Sequence, residues 1–143
     1  MQTEGMVHAL HTIHDLLKPG GVLIDIHPGA DRPEIHVCTP SGAQFAGYLE
    51  ESDDFAEYRQ AQAALDQAVG ARVFSAQHRG RFAFVMHALS PQALRDYLSE
   101  NWHDAVLRPD VVGKIEALFA GPPAGEEVTV TEKVNIARLR RRA

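Results

Sequence analysis

Residues 17–28 read LKPGGVLIDIHP, and the order of their chemistry sets the architecture. Pro19 cannot continue a helix, and the two glycines after it accept a left-handed corner, so Lys18 stands at a helix end. Residues 22–26, VLIDI, form a nearly continuous apolar run too short for a helix. With Gly20-Gly21 before it and His27-Pro28-Gly29 after it, the run is predicted to be a strand covered on both faces. Upstream, Val7, Leu10, His14 and Leu17 recur at three–four spacing, with Met6 and Ile13 widening the stripe. This predicts an amphipathic helix over residues 3–18. Helix, sharp corner and buried strand in that order make an α/β unit.

Downstream, Ile35 and Val37 alternate with other residues, and Pro40-Ser41-Gly42 supplies a turn, so residues 34–39 and 44–49 are predicted to form a hairpin. Phe55, Tyr58, Gln62, Leu65 and Val69 mark one face of a helix over 53–69, capped by Ser52 or Asp53 and ended by Gly70. Residues 73–76 and 82–89 read as strands around His78-Arg79-Gly80-Arg81, either as a hairpin or as one bulged strand. Ser90-Pro91 is a hydroxyl cap followed by a proline at the first helical position, opening a helix that carries Leu94, Tyr97 and Leu98. A further helix over 109–120 turns Val111, Val112, Ile115, Leu118 and Phe119 inward and stops at GPPAG. From Val128 to Ile136, apolar and polar residues alternate as in a long strand, interrupted on its apolar side by Glu132. No repeat or linker divides residues 1–143, so a single domain is expected.

The composition narrows the function classes. Hydrophobic residues at 45% and charged residues at 23% suit a folded globular protein. A net charge of −5 speaks against nucleic acid, whose phosphates call for clustered cations. The one basic cluster, Arg138, Arg140, Arg141 and Arg142, reads as a solvated terminus. Cys38 is the single cysteine, so there is no internal disulfide and no cysteine-built zinc site. No run of eighteen apolar residues suggests a membrane span, and residues 1–17 lack the pattern of a secretion signal. A cytoplasmic protein is expected.

Candidate chemistry gathers at the end of the first strand. Asp25 is the conspicuous charge in an apolar run, and His27 follows at its mouth, where an imidazole suits a general base. These two are the expected catalytic residues. Arg79 and Arg81, flanking Gly80, could clamp a carboxylate or simply form a charged turn. His8, His11 and His14 stand at helical intervals, but each step of three turns the side chain by roughly 60°, so no metal site is expected there. Cys38 has no neighbouring cation to make it a nucleophile.

The stretch Leu17-Lys18-Pro19-Gly20-Gly21 with its apolar strand, the segments DDFAEYR at 53–59 and LRDYL at 94–98, and the final strand together resemble class I S-adenosylmethionine-dependent methyltransferases, in their C-terminal half. In that family LKPGG joins the fourth helix to the fifth strand of a seven-stranded sheet, and the last two strands follow as a reversed hairpin. The resemblance implies an α/β fold: a partial Rossmann-like methyltransferase sheet of mixed parallel and antiparallel strands with flanking helices. It implies S-adenosylmethionine as cofactor and a small-molecule methyl acceptor. The family's glycine-rich loop after the first strand and its acidic residue ending the second have no counterpart in these residues, so no cofactor-binding residue is assigned. The chain alone is therefore expected not to transfer a methyl group. S-adenosylmethionine would bind only if the missing half were supplied, that half being either another chain's or lost from this sequence by truncation. A half sheet leaves a strand edge exposed, which predicts a homodimer or a partner chain covering that edge.

Overall fold

The computed structural model describes residues 3–143. Helix α1 spans Thr3–Leu16 and strand β1 spans Val22–Pro28, so the order of helix, corner and strand is as expected. Leu17 N–H still donates to the Ile13 carbonyl at 3.0 Å, and Gly21 N–H donates to the Lys18 carbonyl at 2.8 Å. Between them Gly20 takes φ +74°, where a side chain would be strained. The chain continues through β2 (Glu34–Thr39), β3 (Gly42–Tyr48), β4 (Glu50–Glu51) and α2 (Ala56–Gly70). It ends with β5 (Phe74–Ala88), α3 (Pro91–Asn101), β6 (Ala105–Val106), α4 (Pro109–Ala120) and β7 (Glu127–Arg141).

These elements pack as two compact units. The first contains α1, β1, α2, the leading part of β5 and the trailing part of β7. Here β1 pairs antiparallel with β7, from Val22 opposite Arg140 to Pro28 opposite Val134. On the other side of β7 lies β5. Arg81 bonds Asn135, and Gly80 lies beside Ile136, so residue numbers rise on one strand as they fall on the other. The pair is antiparallel. One face of this sheet carries Phe74, Ala137 and Leu139, which pack with Leu10 of α1 and Ala64, Leu65 and Ala68 of α2. The alanines let α2 lie close to the strands.

The second unit holds β2, β3, β4, α3, β6, α4 and the remaining parts of β5 and β7. Strand β2 pairs antiparallel with β3 and, from Glu34 opposite Thr131 to Cys38 opposite Glu127, with β7. Ile35, Val37, Val128 and Val130 meet Leu94 and Leu98 of α3 and Val111 and Ile115 of α4. Ser90 caps α3 by accepting from Ala93 N–H at 3.0 Å. Strands β4 and β6 form a separate two-stranded pair.

Several expectations are corrected. Strand β1 is covered on one face only: Ile24 is 52% exposed and Ile26 57%. Within the first unit α1 and α2 both pack on the opposite face, so an apolar run here does not mean burial on two sides. The expected mixture of parallel and antiparallel strands is not found. Every resolved register is antiparallel, because β1 and β2 both take the reversed last strand as neighbour. Of the two arrangements left open around His78 to Arg81, a single strand is found and not a hairpin: β5 runs unbroken over Phe74–Ala88, on an edge whose residues 76–85 are all exposed. Helix α2 starts at Ala56: Asp54 and Phe55 take φ of 53° and 59°, and Asp53 accepts from Phe55 N–H in a local turn instead of capping a helix. The basic tail is not a free terminus. Arg138, Arg140 and Arg141 belong to β7, Arg141 N–H donates to the Gly21 carbonyl at 2.8 Å, and its guanidinium donates to the Leu17 carbonyl.

Candidate functional site

Alternation along β1 places Leu23, Asp25 and His27 on the helix-covered face and Ile24 and Ile26 on the open one. Two positions apart on one face, Asp25 and His27 can touch, and they do: Nδ1 of His27 lies 2.5 Å from Oδ1 of Asp25. A carboxylate only accepts, so Nδ1 carries a hydrogen, and in the neutral imidazole Nε2 is then the nitrogen with the lone pair. The His27 side chain is 11% exposed. Its Nε2 is buried and has no hydrogen-bond partner. Buried polar atoms are rarely left so, because desolvation is then uncompensated.

His27 lines a cavity of about 360 Å³ within the first unit, together with Gln62 and Leu65 of α2, Arg79 and Arg81 of β5, and Asn135 of β7. That volume suits a small molecule. Arg79 donates to Asp66 at 3.0 Å, and Gln62 donates to the same carboxylate oxygen at 3.1 Å. Arg81 Nε donates to Asn135 Oδ1 at 3.0 Å. Gly29 keeps this corner tight: a Cβ there would stand 3.1 Å from the Arg81 guanidinium and 3.2 Å from the Lys133 carbonyl. The arrangement offers a carboxylate-oriented imidazole nitrogen able to accept a proton, and two guanidiniums at the wall able to meet an anionic group.

Four of the residues singled out by sequence therefore meet: Asp25, His27, Arg79 and Arg81. Gln62 stands on the expected inward stripe of α2, but nothing in its spacing marks it as a cavity residue. Asn135 was hidden in the polar half of an alternating strand. The histidines of α1 do not converge. His14 contacts Asp15 at 3.1 Å and the Arg142 carbonyl at 2.7 Å, with Phe74 edge-on. Among the described residues the one metal-like grouping is Glu51, Asp53 and Asp104 in the second unit. Its carboxylates accept from Trp102 Nε1, Phe55 N–H and Ser52 Oγ, which accounts for them as structural anchors of the β4–β6 region.

Nearby, burial and then the Glu51 charge hold the Glu132 carboxyl above its ordinary value of 4.5. The folded state thus grips that proton more tightly than the unfolded chain does. Its contribution to stability is present below the ordinary value and is lost as pH rises through the raised one. Glu132→Gln is accordingly expected to raise the melting temperature by a few degrees at pH 7, with the gap closing below pH 4.5. Thermal melts of both proteins across pH check this, and a gap that widens toward acid would contradict it.

No known protein family and no curated protein matches this chain. No helix among the described residues is long and apolar enough to cross a membrane.

Proposed function

We propose that this chain is a methyltransferase-like domain that holds a small acceptor molecule at the Asp25–His27 cavity and does not transfer a methyl group by itself. The observation that carries the reading is the His27 imidazole, fixed through Nδ1 by Asp25, with a buried and unpartnered Nε2 beside a cavity of small-molecule size. An acceptor hydroxyl or amine reaching Nε2 would satisfy that nitrogen by donating a hydrogen bond to it, and its proton would pass to Nε2 only as the acceptor atom formed a new bond, the imidazole staying oriented by the carboxylate. Arg79 and Arg81 would hold an anionic part of the same molecule.

The methyltransferase side of the proposal rests on the LKPGG corner followed by β1, and on the reversed β7 lying between β1 and β5, as in a sheet closed by a reversed hairpin. The residues present do not fit S-adenosylmethionine. Gly21 is packed into the helix-to-strand corner, where a Cβ would stand 2.8 Å from the Lys18 carbonyl, and this corner is not a cradle for a ligand. The donor-holding half is therefore proposed to come from outside these residues, and another chain supplying it would also cover the outer edge of β1. Among the described residues β1 pairs with β7 alone.

Isothermal calorimetry of the lone chain with S-adenosylmethionine is expected to give no saturable heat up to about millimolar ligand, a range in which binding is worth only roughly 4 kcal/mol. Micromolar saturation would overturn the placing of the donor half outside these residues.

A further inference from the structure

The open face of the first unit's sheet has a definite chemistry. Ile24 lies opposite Arg138, Ile26 opposite Ile136, and Val22 opposite Arg140, and directly paired residues share a face. Gly80 sits over Ile136, with 3.7 Å from its would-be Cβ to the isoleucine, so Phe82, two residues on, shares the face as well. Ile24, Ile26 and Phe82 are all more than two-fifths exposed. Arg138 and Arg140 are exposed beside them. Within this unit the positions that share the face on β1, on β7 and from Gly80 to Phe82 on β5 include no aspartate or glutamate.

We propose that this face docks a partner protein through an amphipathic helix whose apolar stripe meets Ile24, Ile26, Ile136 and Phe82 and whose acidic flank meets Arg138 and Arg140. Charge complementarity selects the occupant. A second copy presenting the same face would set arginines near arginines with no acid to offset them. Single-stranded nucleic acid is disfavoured, because three of the four apolar groups are isoleucines without a stacking surface and the chain carries a net charge of −5. The inference rests on the reading that another chain completes the domain, and it names the chemistry of the element that chain contributes.

The test uses the full chain and two synthetic eighteen-residue helices with one leucine stripe, flanked by glutamates in one and by lysines in the other. The glutamate helix is expected to bind saturably, with amide shifts centred on Ile24, Ile26, Arg138 and Arg140. The lysine helix should bind about tenfold more weakly, and the exposed double variant Arg138→Glu/Arg140→Glu should invert the order. Equal affinities, no saturation by either helix, or shifts centred elsewhere would overturn the proposal. So would competition by a ten-residue thymidine oligonucleotide, or a homodimer in sedimentation that Ile26→Asp dissociates. Ile24, Ile26, Arg138 and Arg140 line no part of the His27 cavity, so failure here is separable from failure of the acceptor site.

Discussion

Phe74→Ala is expected to lower the free energy of unfolding by about 3–5 kcal/mol, the range for removing a fully buried aromatic ring from a core. The ring is inaccessible to solvent and is held by Leu10, Ala64, Leu65, Ala68, Ala137 and Leu139. Three of those six neighbours are alanines, which have no rotamer with which to swell into the space left behind. The cavity would therefore persist, and its residual volume adds to the lost transfer energy. His14 also loses the ring it meets edge-on at 5.8 Å between centroids. In a domain of this size the loss corresponds to a fall of about 10 °C in melting temperature. Leu16→Ala serves as the control, because Leu16 is 81% exposed and its truncation should stay within about 0.5 kcal/mol. A Phe74→Ala protein that melts within two or three degrees of the parent would mean that α1 and α2 do not pack on the sheet as described.

The elements legible in the sequence were those with punctuation at both ends. Helix α4 runs from Pro109 to Ala120 as expected, since proline opens it and Gly121 closes it. The corner at Pro19-Gly20-Gly21 was legible for the same reason. Burial was less so. The run VLIDI is identical in composition whether one face or two are covered, and the strand it pairs with, β7, lies more than a hundred residues away. The left-handed conformation of Asp54 and Phe55 could not be foreseen, because a buried phenylalanine at positive φ is imposed by its surroundings and has no local signature. In the candidate site, Asp25 and His27 were legible as a pair because residues two apart on a strand share a face. Arg79 and Arg81 share a face by the same rule. That His27 and the two arginines border one cavity depends on β7 lying between β1 and β5, a long-range pairing that no local pattern encodes.

A double-substitution cycle on Asp25 and His27 separates a coupled pair from two bystanders. Asp25→Leu leaves the nearly buried imidazole with neither nitrogen partnered, at a cost of about 1–3 kcal/mol. His27→Leu strands the Asp25 carboxylate, which is less buried and recovers some hydration, so its cost should fall toward the lower end of that range. In Asp25→Leu/His27→Leu no unpartnered polar atom of the pair remains. The two effects should then fall short of adding by about 1 kcal/mol or more, as for groups in direct contact. Denaturant melts of the four proteins give the coupling, and nitrogen shifts of the His27 ring give an independent readout. In its neutral form the parent's ring should show a protonated Nδ1 and a bare Nε2, because the carboxylate at 2.5 Å can only accept. If the costs add to within about 0.5 kcal/mol, or if the neutral ring carries its one hydrogen on Nε2, the carboxylate does not orient the imidazole and the acceptor site loses its base. If coupling and tautomer are both as expected, the doubly apolar protein becomes the decisive reagent: folded, with its cavity intact in outline, and unable to take a proton from whatever molecule the cavity holds.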